Sequence, residues 1–224
     1  MKAQHRWYLD EINLRGQIVA DVGANIGELS QLFWDAGRGS NQVISIEPLA
    51  DNVRRIRQRI AKAQAKNWKV IAEAVSTATG EVNLAVARSR RYGLNSMVSD
   101  QAGSADMPLL QVPCRALPDM VPHATVVKLD IEGHEYPVLE QCLGLMADVH
   151  SWAVELHAVA NRPLQSVLGL FLGHGYTMVT PTRDAGGRWR SVPVSPLWDW
   201  QQIPAGTNEA GQPFRMLHLI ARRA

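Results

Sequence analysis

At 224 residues, with 46% apolar and 20% charged side chains, the chain can build one sizeable core and is too short for more than two small domains. A net charge of +2 gives no global pull toward nucleic acid or an acidic surface. Cys114 and Cys142 make neither a disulfide framework nor a metal-type pair, Met1–Gly16 carries charges and no apolar signal-type run, and no segment approaches a membrane span, so a reducing, cytoplasmic setting is the expectation.

Strands and helices alternate from residue 17 onward. Gln17–Asp21 reads as a strand and Gly27–Ala36 as a helix. Gln42–Glu47 is a second strand. Asp51–Lys66 is a helix, with Val53, Ile56, Ile60 and Ala63 at helical spacing. Trp68–Val75 reads as a third strand, with Glu81–Ala87 pairing nearby. Thr125–Asp130 is a near-continuous apolar strand, followed by a helix over Glu135–Leu145, a strand over Ser151–His157 and a helix over Leu164–His174. Tyr176–Thr180 and Phe214–Ala221 close the pattern. Buried strands alternating with helices predict an α/β, doubly wound, mostly parallel sheet covered on both faces. No helix is evident between the last two strands, so one of them should lie antiparallel at the edge. The expected organisation is an N-terminal extension over 1–16 and a single domain over 17–224.

Two long loops are expected. Arg88–Pro108 is polar and rich in turn formers, and suits either a lid near the site or a plain surface loop, with Asn95 and Ser96 as the residues to suspect. Pro181–Pro213 carries Trp189, Trp198 and Trp200 with Arg188 and Arg190. Those side chains suit sugar or phosphate groups, a cover over the sheet edge, or a homodimer contact. Arg54, Arg55, Arg57, Arg59, Lys62 and Lys66 make one helix basic, which ordinarily means a solvated face.

Function is concentrated in Ile18-VADVGANIGEL-Ser30. Asp21 ends a strand, and Gly23, Ala24, Asn25 and Gly27 form the turn into a helix. In open α/β sheets, ligands bind beyond the carboxyl ends of the strands. A dinucleotide fingerprint would need a glycine at the middle of this turn, where Ala24-Asn25 stands, and Asp21 would repel a pyrophosphate. That disfavours a nicotinamide dehydrogenase. Glu47 ends the second strand, where an acid takes ribose hydroxyls. A ribose with positive charge and no pyrophosphate describes S-adenosylmethionine. Asp130 and Glu155 end two more strands on the same rim, where several acids would repel unless a cation or shared protons compensate.

In order, ADVGANIGELS, VISIEP, AVSTATGE, VVKLDIEGHEYPVLE and AVELH resemble the FkbM-type class I methyltransferases, from about Ile18 to His157. The resemblance implies a Rossmann-like seven-stranded sheet with the last strand antiparallel. It implies S-adenosylmethionine as donor and a hydroxyl of a sugar or other small molecule as acceptor. By position it places Asp21, Gly23 and Asn25 along the methionine part, Glu47 on the ribose, Glu73 and Ala74 near adenine, and Asp130 between cofactor and acceptor.

Methyl transfer to a hydroxyl needs alignment and removal of one proton. Asp130, His134 and His157 are the candidate bases, and Glu155, two residues from His157 on one strand, is its candidate orienting partner. Glu132 and Glu135 suit the N-terminal end of the following helix. Asp130, Glu132, Glu155 and His157 could alternatively hold a divalent metal, although no spacing in the sequence assigns one. The rival readings are an RNA or other nucleic-acid methyltransferase and a cofactor-binding module without catalysis.

Overall fold

The computed structural model describes residues 3–86, 96–97, 108–207 and 213–223. In chain order these form α1 (Ala3–Glu11), β1 (Ile18–Val22), α2 (Glu28–Gly37), β2 (Gln42–Ile46), α3 (Ala50–Ala63), β3 (Trp68–Ile71), β4 (Ala74–Ser76), β5 (Gly80–Ala85), β6 (Ser96–Met97), β7 (Leu109–Ala116), α4 (Leu117–Met120), β8 (Val126–Leu129), α5 (Glu135–Leu145), β9 (Ser151–His157), α6 (Leu164–Gly173), β10 (Thr177–Arg183), β11 (Trp189–Pro193), β12 (Ala205–Thr207) and β13 (Pro213–Arg222).

The main sheet runs β3-β2-β1-β8-β9-β13-β10-β11, with β12 on the outer half of β13. Strands β3, β2, β1, β8 and β9 are parallel, and β13 is antiparallel to both β9 and β10. This is the expected sheet with its last strand reversed, except that the reversed strand does not sit at the edge: β13 inserts between β9 and β10. The parallel strands are buried on both faces, which is why they read as apolar runs. One face packs against α4, α5 and α6 through Val22, Val127, Leu129, Trp152, Val154 and Leu156. The other packs against α1, α2 and α3 through Val19, Val43, Val126, Ala153 and Ile220.

Three expectations change. The Trp68–Val75 strand is two elements: β3 stays with β2, while β4 pairs with β7 in a separate β4-β7-β5-β6 sheet. The break falls at Glu73, whose carboxylate leaves the sheet line to take a two-pronged hydrogen bond from Arg115. Pro181–Pro213 is no plain loop: β10 extends to Arg183, β11 adds an edge strand and β12 another, so the sheet exceeds seven strands. Finally, the 1–16 segment contributes Trp7, Tyr8, Ile12 and Leu14 to the core. Most of the 88–108 segment, Asn95 included, lies outside the described residues, and Ser96 opens β6.

The tightest backbone approach is at the first turn. Gly23 has φ +72°, and a Cβ there would sit 1.8 Å from the Asp130 carbonyl oxygen. Both the left-handed φ and that approach demand glycine. Gly23→Ala should therefore pry β1 from β8. The expected outcome is a loss of at least about 3 kcal/mol in urea unfolding; a loss below about 1 kcal/mol would mean that the turn relaxes freely.

Candidate active site

Because β1, β2, β8 and β9 are parallel, the groups at their carboxyl ends share one rim. Asp21 and Glu47 come from the ends of β1 and β2, Asp130 follows β8, and Glu155 and His157 end β9. The glycine turn is fastened to β2, with Gly23 and Ala24 N–H both donating to the Ile46 carbonyl at 3.0 and 3.1 Å. Asn25, at φ 50°, donates its N–H to Glu47 Oε2 at 2.9 Å. Gly27, at φ 77°, opens α2. Ala24 is buried with Leu29 and Phe33. Arg59 of the basic helix donates to the Ile26 carbonyl at 2.8 Å, so one member of that run braces the turn. Arg54 pairs with Asp51.

Glu47 also accepts from Leu49 N–H at 3.0 Å and Asn52 Nδ2 at 3.2 Å. Burial nevertheless pushes its carboxyl up to about 7, against these donors. A ligand's hydroxyls would find an acceptor here whose charge is poorly solvated.

Asp21 is fully buried. Its Oδ2 accepts from the Ser30 hydroxyl, which is 2.7 Å from the Ser45 hydroxyl; Ser45 in turn accepts from Trp68 Nε1 at 2.8 Å. Its Oδ1 has no hydrogen-bond partner among the described residues and faces Lys128 Nζ at 3.8 Å. Lys128 is itself buried and donates to Asp130 Oδ2 at 3.0 Å, reaching the Val22 and Gly23 carbonyls at 3.4 and 3.3 Å. Burial opposes the ammonium, but Asp130 and Asp21 outweigh it and hold Lys128 firmly protonated. The same pairing overcomes burial at Asp130 and lowers its carboxyl below the ordinary value. At Asp21 burial wins and the carboxyl is raised. Lys128 was hidden in the sequence inside an apolar run. A charged residue within so short a buried strand was the available signal.

The segment after β8 is a tight acidic loop. Glu132 and Gly133 both have positive φ, 54° and 104°. Glu135, fully buried, accepts from Ile131 N–H at 3.0 Å and Gly133 N–H at 3.1 Å, and meets His157 Nδ1 at 3.0 Å. His157 Nε2 lies 3.4 Å from Glu132 Oε2. The expected His157–Glu155 pair is thus corrected: His157 is oriented by Glu135, with Glu132 on its other nitrogen. Burial would lower the imidazole, but the Glu135 bond and the surrounding acids raise it to about 10. Glu132 is raised to about 8, mainly by burial and by Asp130. With its imidazole raised in this way, His157 is well suited to hold the loop and the local charge. The folded state here keeps protons that the unfolded chain releases. These pairings therefore stabilise below about pH 6.5 and lose that contribution as pH rises toward 10.

Glu155 pairs across the sheet with His218 of β13, Oε2 to Nδ1 at 3.5 Å. The polar atoms of Asp130, Glu155 and His157 come within 4.8 Å of one another. Lys128 and His157 stand against these carboxylates, so the group can share charge and protons. His134 stands apart: it precedes α5 with Nε2 buried and no hydrogen-bond partner among the described residues, and burial lowers its pKa. Glu73 is committed to Arg115, and Ala74 is buried with Leu84, Val112 and Cys114. In the edge segment, Trp198 and Trp200 pack on the core, Arg183 stacks on Trp189, and Arg188 and Arg190 pair with Asp184.

A reversed last strand, a glycine turn after β1 and an acid after β2 define the class I methyltransferase architecture. Solved structures of that class superpose on it. Precorrin-6y C5,15-methyltransferase from Geobacter metallireducens matches with a TM-score of 0.51 and 12% identity over 98% of this chain and 87% of the other. A SAM-dependent O-methyltransferase from Thermotoga maritima matches with 0.51 and 10% over 100% and 66%. A candidate tRNA (m1A22) methyltransferase from Streptococcus pneumoniae, in complex with S-adenosyl-L-methionine, matches with 0.50 and 13% over 100% and 74%. No curated relative matches the sequence. The methyltransferase FkbM domain model matches residues 21–178, and the chain belongs to that family of S-adenosylmethionine-dependent methyltransferases. The residues fit that cofactor. Glu47 offers an acceptor that ribose hydroxyls could use, and the carboxylates of Asp21 and Asp130, each with one buried oxygen unpartnered among the described residues, suit a ligand carrying a sulfonium and an ammonium.

The Glu47 carboxyl, raised to about 7, makes binding pH-dependent with a defined sign. Donated hydroxyls favour the ionised form, so S-adenosylhomocysteine affinity should rise up to about tenfold per pH unit below pH 7 and level off above it. Glu47→Gln should weaken binding about ten- to a hundredfold and flatten the profile. Calorimetric titration at pH 6, 7 and 8 checks both; a flat wild-type profile would remove Glu47 from the pocket.

Proposed function

We propose that the chain transfers the methyl of S-adenosylmethionine to a hydroxyl oxygen of a sugar or other small molecule, not to RNA. The observation that carries this reading is the charge of the rim. Carboxyl groups of Asp130, Glu132, Glu135 and Glu155 gather there, Glu132 largely protonated at neutral pH, and Lys128 is buried with its charge spent on Asp21 and Asp130. A phosphate-bearing acceptor would be repelled. Hydroxyls would find hydrogen-bond acceptors throughout. The bound cofactor supplies a methyl activated on sulfonium. The protein's part is to align the acceptor, exclude water and take one proton.

Acids also account for specificity. Asp130 lies between the turn that fits the cofactor and the Glu155–His157 end of β9, so it borders both ligands in this reading. Among the described residues, the basic outer face of α3 is what favours a nucleic acid. Two of its five cations are already engaged, Arg54 with Asp51 and Arg59 with the glycine turn.

A screen with methyl-labelled S-adenosylmethionine over neutral sugars, amino sugars, sugar phosphates and transfer RNA separates the readings. Label should enter neutral or amino-bearing hydroxylated acceptors, and Asp130→Asn should lower that turnover at least about a hundredfold. Label entering RNA, with binding that weakens steeply between 50 and 200 mM salt, would overturn the small-molecule reading.

A further inference from the structure

The N-terminal helix delivers a phenol to the acceptor side of the rim. Tyr8 of α1 is 1% exposed, and its hydroxyl lies 3.0 Å from His218 Nδ1. The two rings meet edge to face, 6.3 Å between centroids. The same Nδ1 faces Glu155 Oε2 at 3.5 Å, and Glu155 reaches within 4.8 Å of Asp130. His218 and Glu155 are direct cross-strand partners between β13 and β9. They share a face with Asp21 and Lys128, which lie side by side in register on β1 and β8. A polar row thus crosses the sheet from Ser45, through Asp21, Lys128, Asp130 and Glu155, to His218 and Tyr8.

His218 Nδ1 has a partner for each of its protonation states. When the imidazole is neutral at Nδ1, the Tyr8 hydroxyl donates to it. When Nδ1 carries a proton, that N–H donates to the Glu155 carboxylate. His157 offers no such choice, because Glu135 and Glu132 flank both of its nitrogens and favour the imidazolium.

We propose that His218, working through Glu155, is the proton sink of the site, and that Tyr8 is the positioning residue that holds its imidazole ready. The inference rests on the O-methyl transfer reading above. The acceptor's O–H bond breaks as its oxygen bonds to the methyl carbon. The proton passes to the Glu155 carboxylate and on to His218 Nδ1, giving an imidazolium. The S–CH3 bond breaks with its electron pair left on sulfur, so the donor departs as a neutral thioether. The imidazolium then returns its proton to solvent. Among the described residues, ionisable groups facing His218 in this scheme include Tyr8 from α1, Glu155 from β9 and Asp130 after β8. Tyr8 keeps its phenol proton: burial, reinforced by Glu155, Asp130 and Asp21, raises it well above the ordinary value. It acts as a hydrogen-bond partner and not as an acid.

The test is a histidine side-chain 15N NMR titration of the full chain, free and with S-adenosylhomocysteine, the His218 signal being assigned by His218→Gln. Tyr8→Phe should raise the His218 midpoint, because the neutral form loses its donor. Glu155→Gln should lower it, because the imidazolium loses its anion. Each shift should be about half a pH unit or more. With an acceptor from the sugar panel, the acidic limb of kcat should move with the midpoint. An unmoved midpoint in either variant, or shifts of the same sign, would overturn the proposal. If Tyr8→Phe does not fold, Glu155→Gln alone decides. Failure of the wild-type chain to bind S-adenosylhomocysteine would instead defeat the methyl-transfer reading and this proposal with it. Binding with an unmoved midpoint defeats only the role of His218.

Discussion

The site is organised by one buried cation. Lys128 Nζ sits between Asp21 and Asp130 and reaches the two carbonyls that end β1 and start the glycine turn. Two carboxylates at the ends of neighbouring parallel strands cannot both be buried and ionised without such a charge. Removing one partner of a buried ion pair leaves an uncompensated charge, a cost of about 3–5 kcal/mol. Lys128 therefore ties the ends of β1 and β8 together beside the place where Gly23 passes the Asp130 carbonyl. It also leaves Asp130 ionised and Asp21 drawn inward, so two acids that look equivalent in sequence take different parts.

A second arrangement of the same kind holds the acceptor side. Glu135 closes the loop after β8 by accepting two of its N–H groups, and its bond to His157 fixes the end of β9. Glu132 stands at positive φ against the other face of that imidazole. The loop conformation and the charge of His157 are thus one constraint: the imidazolium is what allows three carboxylates to stand together. In the proposed transfer His157 therefore holds the loop, and the proton is assigned to its neighbours.

Much of this was legible in the sequence, for physical reasons. Buried parallel strands read as apolar runs, and the glycine turn with acids at two strand ends points to a ribose-bearing cation. What stayed hidden depends on pairing across distance. Lys128 looked like a flaw in an apolar strand. Glu135 looked like an ordinary helix-end charge, whereas it is fully buried. Tyr8 and His218 lie 210 positions apart and meet only because β13 returns between β9 and β10 with α1 packed over that face. The edge strand β11 escaped notice because an edge has one neighbour and needs little apolar alternation. Strand β7 escaped because its exposed Leu109 and Leu110 mask the buried Val112 and Cys114.

The most direct measurement is a crystal structure of the chain with S-adenosylhomocysteine. The account predicts ribose hydroxyls on Glu47, the homocysteine end along Asp21–Asn25, and the sulfur facing Asp130 with Glu155 and His218 beyond it. Density for the ligand elsewhere, or a ribose that does not touch Glu47, would contradict it.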